Sequence, residues 1–483
     1  MDIFQYHLYT TLKNIDILQF PIDESVVYLY NNESLCRFRK EETLMSDNRT
    51  QRYAQCLSKL VQCETISWED QTDLTKFYNF HDLLRQMFPN LFGCCDFEDF
   101  NGSILMRWKG KTPEGPIMLM SHHDVVEAPG KWTYPPFSGT IADGKLWGRG
   151  TLDTKGSLWA MLQAAEELVT EGVVPNRDIY FVSACTEEST GAGADLISST
   201  LRDRGLRFSL VLDEGGMILD EPIVGAKGAF AMVGLGEKGC TDLKFIARSA
   251  GGHASTPGKN TPLVRLGKFM AAAEKANIFE ADIPPAICEM SRRLSKSMAQ
   301  PLKFILGHPK LFKPILLKAI PMVSTTAGAM LKTTLAFTMA SGSDGSNVLP
   351  QEAWVMGNMR YSHHQGREKS IEAARKLAAK FDIETIVLSP GEDSGIGDHK
   401  SDGFRLVEQA VQATFPDVIT SPYLTTAASD SRYMDRVCDT CLRFAPIHIT
   451  GAQMDSIHGI DENIGLDALA PAVDFYKYII SEA

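Results

Sequence analysis

His122 and Asp124 stand two residues apart at the end of an apolar run, Ile117–Met120, within PIMLMSHHDVVEAPGKWTYPPFSGTIADGKLWGRGTLDTKG. In extended backbone such residues share a face. A histidine aimed at a site, with a carboxylate beside it to fix its tautomer, is a pairing that metal sites use. Asp153 follows the Gly148-Arg149-Gly150 turn, just ahead of a predicted helix over Ser157–Val169. Further on, Glu187-Glu188 and Asp213-Glu214 each follow a short apolar run, and His458 lies in a loop near the C-terminus. One acid after a strand reads as a helix cap. Acid or histidine after three successive strands does not, because caps do not need them there, and open α/β sheets place their sites at these ends.

The elements that must position these groups read as a βα series. Ser103–Trp108, Ile117–Met120, Asp178–Cys185 and Ser209–Leu212 are predicted strands, and Leu158, Met161, Leu162, Ala165 and Leu168 line one face of the intervening helix. Near Gly234 the pattern changes. Cys240–Ser249 alternates as a strand with one covered face, Gly251–Pro257 turns, and Thr261–Lys275 is a helix. Asn347–Pro350, Ala353–Tyr361, Gly366–Phe381 and Glu384–Leu388 then give strand, strand, helix, strand. The first pattern resumes with a helix at Phe404–Thr414, a strand over Leu442–Thr450 and a last helix at Leu466–Ile480, which puts His458 in a strand-to-helix loop. The predicted architecture is α/β: a catalytic domain over residues 48–233 and 393–483, with an α+β domain inserted at 234–392. Residues 1–47 form an extension of unassigned role. In it Phe4–Leu12 and Val26–Tyr30 suit strands, and Met45 suits an alternative start.

Composition narrows the function. The 483 residues are enough for two domains, and 44% of them are hydrophobic. A net charge of −12, from 48 Lys and Arg against 60 Asp and Glu, argues against nucleic acid as a partner. No apolar run reaches the roughly 20 residues of a membrane span, and no secretory leader is visible. Ten cysteines lack a disulfide framework's spacing, and Cys438–Cys441 is a lone CxxC pair; the thiols read as reduced and the protein as cytoplasmic. About residues 278–341 the chain is basic and apolar together. Lys303, Lys310, Lys313 and Lys318 lie among Phe304, Leu311, Phe312 and Ile315, which reads as helical surface packed on its own domain, with lipid contact as the alternative.

The motifs S-H-H-D-V-V, G-R-G-T-L-D-T-K-G, T-E-E-S-T-G, L-D-E-G-G, G-G-H-A-S-T-P, S-N-V-L-P, M-R-Y and I-H-G, in that order, resemble the aminoacylase, carboxypeptidase G and succinyl-diaminopimelate desuccinylase family of dinuclear metallohydrolases. The likeness runs from about Ser58 to the C-terminus and is nearest to the amino-acid N-acylase and carboxypeptidase S subgroup. Ser121 departs from the family's usual glycine. The resemblance implies that His122 and Asp213 bind one metal, Glu188 and His458 the other, and that Asp153 bridges both. It implies Asp124 as the residue orienting His122, Glu187 as general base, a cis peptide after Asp153, and His253 as the group that stabilises the oxyanion, by lid closure or from a partner subunit. Asn347, Arg360 and the Gly451 backbone N–H would bind substrate, the guanidinium of Arg360 suiting a terminal carboxylate.

The implied cofactors are two divalent ions, Zn²⁺ first, with Co²⁺ or Mn²⁺ compatible with the same donors. Three carboxylates and a bridging hydroxide would balance their four positive charges. The expected activity is attack of that hydroxide on an amide bond next to a free carboxylate, in an N-acyl amino acid or a short peptide. The inserted domain would serve as a lid and a homodimer contact. The opposing reading is a catalytically inactive scaffold on the same fold.

Overall fold

Strands form where β-branched and aromatic residues run between glycine-rich turns, and the computed structural model of the chain contains nineteen among the residues it describes, 48–389, 391 and 394–483. The chain divides into two units at residue 52, and all of these strands belong to the second, residues 53–483. The expectations for residues 1–47 lie outside the described residues.

The first half lays down β1 (Asp96–Phe100), β2 (Ser103–Trp108), β3 (Thr112–Met120), β4 (Thr140–Ala142), β5 (Lys145–Trp147), β6 (Arg177–Ser183), β7 (Leu210–Asp213), β8 (Ile218–Asp220) and β9 (Ala229–Glu237). Next come β10 (Gly239–Arg248), β11 (Gly252–His253), β12 (Thr334–Ser341), β13 (Val348–Leu349), β14 (Glu352–Tyr361) and β15 (Glu384–Val387). The chain closes with β16 (Ile419–Thr425), β17 (Cys441–Arg443), β18 (His448–Ile449) and β19 (Asn463–Gly465).

The large sheet runs β1-β2-β6-β3-β7-β17-β9-β8-β18, with β16 also paired to β9. Its central strands β6, β3, β7 and β17 are parallel, so their carboxyl ends share one edge. The pairs β1–β2, β2–β6, β9–β17 and β8–β9 are antiparallel, which makes the sheet mixed. The apolar face of the helix Lys155–Thr170 packs into the core beneath β3 and β6, with Trp159 and Met161 fully buried. A four-stranded antiparallel sheet, β12-β14-β10-β15, stands apart from it. Thr241, Leu243, Phe245 and Ala247 of β10 alternate inward as the sequence predicts, and the helices Pro262–Lys275 and Arg367–Ala379 cover them through Leu266, Phe269, Ile371 and Ala374.

Three elements differ from the sequence expectation. The strand expected over Leu442–Thr450 is two, β17 beside β7 and β18 beside β8. Pro446 lies between them and has no N–H for a ladder, and the amide of Ala445 turns to Gly216 O instead. His458 follows the short helix Gly451–Ser456 and precedes β19, at φ +59°, rather than joining a strand to a helix. The helix Pro285–Ser295, expected in the inserted domain, buries Ile287, Met290 and Leu294 in the core of the large sheet, and Arg293 donates to Thr420 O on β16 at 2.9 Å. Its amphipathic face covers β16, whose outer side would otherwise be bare.

Candidate metal centre

The shared edge of the parallel strands collects the expected residues. β3 delivers His122, β6 is followed by Glu187 and Glu188, and β7 ends on Asp213. His122, Asp153 and Glu188 offer ligand atoms within 4.8 Å of one another. His122 Nε2 lies 3.0 Å from Asp153 Oδ1, and His458 Nε2 lies 3.0 Å from Asp153 Oδ2 and 3.1 Å from Glu188 Oε2. The two oxygens of Asp153 thus face two different histidines, and the peptide that follows it is cis.

Asp213 is buried beside this group. Its oxygens accept from the backbone amides of Glu214 (2.9 Å) and Ser431 (2.8 Å), and it stands outside the tight cluster of donors. The turn after it requires glycine, since a Cβ at Gly216 would fall 1.9 Å from Met232 O.

Asp124 does more than face His122. His122 Nδ1 is 2.9 Å from the Asp124 backbone oxygen, with the carboxylate at 3.4 Å. That carboxylate accepts from Ser67 Oγ (2.7 Å) and from the amides of Glu187 (3.2 Å) and Glu188 (3.0 Å). Asp124 therefore ties the loop after β6 to the loop after β3. At the family's glycine position, the Ser121 hydroxyl donates to Thr154 O at 2.9 Å, joining β3 to the residue after Asp153.

A second carboxylate holds the other side. Glu462, fully buried, pairs with Arg149 Nη1 at 2.6 Å and accepts from the amides of Gly150, Leu152 and Asp153. Arg149 Nη2 donates to Gly459 O at 2.7 Å, next to His458.

The site is rich in acid. Burial raises the Glu187 carboxyl well above its ordinary range, and Asp430, Glu214 and Glu188 add to the effect against His122. Glu214 and Asp430 are raised well for the same first cause. Both oxygens of Asp430 are buried without a donor among the described residues. His458 is pushed up to about 10 by its hydrogen bonds to Asp153 and Glu188. Burial opposes the charged form of His122, yet Asp124 and Asp153 together carry it well above the imidazole range. Carboxylates that crowd into one buried place with two imidazoles and orphaned oxygens need cations to balance them, so the donor set fits divalent metal.

Asp153, Glu187, Glu188 and His458 open onto a cavity of about 550 Å³. Its far wall is apolar and is built by Met217, Leu219, Ile223 and Met232 with Met290 and Met330 of the 278–341 segment. The remaining expected residues stand outside this lining. His253 and Asn347 sit together on the β11–β13 ribbon, where Ala254 N donates to Asn347 O at 2.9 Å, and both are exposed. Gly451 opens the helix Gly451–Ser456 on the surface. Arg360 on β14 lies opposite Thr334 and close to Lys238, with its Nη1 buried and without an acceptor among the described residues.

Asp430, Glu214, Arg149 and Glu462 went unassigned in the sequence. Glu214 had a visible signal, an acid beside Asp213. Asp430, in Ser429-Asp430-Ser431-Arg432, and Glu462 carry no periodic mark.

The chain matches the family described as peptidase family M20/M25/M40 over residues 118–482. It is 31% identical to the human N-fatty-acyl-amino acid synthase/hydrolase PM20D1 over 89% of this chain and 87% of that one. It is 30% identical to the probable carboxypeptidase S-like 2 of Dictyostelium discoideum over 88% of this chain and 84% of that one. In fold it is similar to the M20 family metallo-carboxypeptidase Sso-CP2 of Sulfolobus solfataricus, with a TM-score of 0.65 at 17% identity over 88% of this chain and 97% of that one.

Proposed function

The chain belongs to peptidase family M20/M25/M40, and from that premise we propose that it is a two-metal hydrolase of an amide bond next to a free carboxylate. The observation that carries this reading is the meeting of Asp153, Glu188 and His458 in the lining of a cavity that Glu187 also faces, with His122 buried against Asp153. In it, His122 and Asp213 would hold one ion, Glu188 and His458 the other, and Asp153 would serve both. Zn²⁺ suits these donors, and Co²⁺ or Mn²⁺ also fit them. Bound ions of this kind lower the pKa of an attacking water and polarise the scissile carbonyl.

The chain's own groups supply the proton transfers and the binding. No described residue hydrogen-bonds the Glu187 carboxylate, which leaves it able to take the proton of the attacking water and pass it to the leaving amine. The buried Nη1 of Arg360, which has no acceptor among the described residues, supports a role in holding the substrate carboxylate. Asn347 and the Gly451 N–H would add contacts, and His253 would steady the developing oxyanion once the inserted domain, as lid and dimer contact, brings it in from this chain or a second one.

The methionine-rich wall favours an N-acyl amino acid with an apolar acyl group over a short polar peptide. Among the described residues, the buried Cys185, Cys438 and Cys441 carry free thiols, which supports a reducing, cytoplasmic setting. Among those residues no helix is long and apolar enough to cross a membrane.

Metal analysis and a substrate panel test the proposal together. Purified protein should carry about two divalent ions per chain, lose activity to a chelator and regain it with added Zn²⁺. It should cleave N-acyl amino acids faster than dipeptides. A metal-loaded protein inert to both substrate classes would instead be the scaffold.

A further inference from the structure

Between Glu289 and Asp344 the chain has no acidic residue, although the protein as a whole is strongly acidic. The same segment holds eight basic ones, Arg292, Arg293, Lys296, Lys303, Lys310, Lys313, Lys318 and Lys332. Its helices Leu302–Gly307 and Lys313–Val323 turn Leu316 inward and partly bury Ile305, Leu306, Leu317 and Ile320 against the core. Their outer faces are not polar. Leu302, Phe304, Leu311, Ile315, Met322 and Val323 are exposed there, Met322 by 86% and Val323 by 75%. On the second helix Ile315 and Met322 are seven residues apart, so they share a stripe, and Lys318 lies on it between them. Val224, 82% exposed, joins the patch from another loop, since its neighbour Gly225 approaches Leu302. Monomers seldom leave apolar side chains so clustered in water.

The patch also has a place relative to the site. Met322 and Val323 run directly into Ser324, Thr326 and Ala327, and Val224 follows Pro222 and Ile223; all five of those residues line the cavity. The apolar surface is therefore continuous along the chain with the cavity's wall. Exposed Lys303, Lys310 and Lys318 flank it, and among the described residues no carboxylate pairs with them; Lys313 alone is spent on Asp282, at 2.6 Å. Apolar side chains ringed by lysines, on helices too short to span, match the surface of a bilayer that carries anionic headgroups.

We propose that the outer face of the helices Leu302–Gly307 and Lys313–Val323 docks on an anionic phospholipid surface, with the apolar side chains entering the acyl boundary and the lysines meeting the headgroups. Docked in this way, the cavity wall would adjoin the lipid, so that an amphiphilic substrate could enter without crossing water. That consequence rests on the hydrolase reading above. The docking itself does not.

Flotation of the full chain with phosphatidylcholine vesicles, with and without phosphatidylserine, tests the surface. Wild type should float with the phosphatidylserine vesicles, less so as salt is raised, and weakly with phosphatidylcholine alone. The pair Ile315→Ser and Met322→Ser, and separately the set Lys303→Gln, Lys310→Gln and Lys318→Gln, should each reduce binding by roughly tenfold or more, while melting temperature and cleavage of a short, water-soluble N-acetyl amino acid stay at wild-type values. Vesicle binding is read whether or not any substrate is cleaved, so a failed hydrolase reading leaves the result standing. The proposal is overturned if wild type does not bind the phosphatidylserine vesicles, or if folded variants bind as well as wild type. It is equally overturned if light scattering shows a dimer that these substitutions dissolve while vesicles are ignored, for the face is then a contact between copies.

Discussion

Glu187 and Glu188 are adjacent in the chain, yet their carboxylates have different partners. Glu188 meets His458, while no described residue hydrogen-bonds the Glu187 carboxylate, and both side chains face the cavity. Replacing Glu187 by Gln keeps shape and a hydrogen bond but removes proton acceptance, so kcat should fall by about 10²–10⁴ with metal content unchanged. Steady-state kinetics beside metal analysis checks this, and loss of metal would instead make Glu187 a support for a ligand. At some remove, His81 is buried with Nε2 2.9 Å from Gly102 O, and burial holds its pKa below the usual imidazole value. The unfolded chain takes that proton near pH 6.5, so unfolding binds a proton there. The stability His81 contributes is present above that pH and is lost as the solution is acidified below it. His81→Gln keeps a donor for Gly102 and cannot titrate. Thermal melts in mildly acidic and neutral buffer should show a smaller drop for the variant than for wild type.

Two turns, one before Asp153 and one after His458, share a single buried clasp of Arg149 and Glu462. Removing one partner of a buried pair strands the other, at a cost of about 3–5 kcal/mol. Glu462→Ala should therefore destabilise the fold by about that much and lower metal content, because the amides it holds include that of Asp153. Glu462→Gln keeps an acceptor for those amides and should retain more of both. Denaturant unfolding with metal analysis separates the outcomes. Equal metal content in both variants would mean that the clasp does not position the ligand.

Across the molecule, His253 and Asn347 lie together on an exposed ribbon, outside the cavity lining. On the proposed reading, either the segment that carries them moves toward the cavity or a second chain supplies them. His253→Ala should then lower kcat by about 10²–10³ with little change in KM, as expected of a donor used mainly in the transition state. Mixing His253→Ala chains with Glu187→Gln chains distinguishes the routes. Recovered activity means that the histidine crosses between subunits, and no recovery means closure within one chain.

The chemistry-bearing residues and the succession of strands and helices were legible in the sequence because each is local. Acids and histidines after apolar runs, the alternation of Cys240–Ser249 and the helical face from Leu158 to Leu168 all lie within short windows that backbone periodicity decodes. The break at Pro446 was equally local, but a proline within an apolar run says only that pairing must stop, not where each half will pair. What the tertiary structure alone decided depends on residues far apart in the chain. Glu462 reaches Asp153 across some three hundred residues, Asp430 arrives beside Asp213 through a loop with no periodic mark, and the carboxylate of Asp124 bonds amides beyond the next strand more closely than its neighbouring imidazole. The helix Pro285–Ser295 shows the same limit, since a segment read as packed on its own domain does not say which sheet will bury it. Periodicity identifies what a segment must hide, and only the folded chain supplies the surface that hides it.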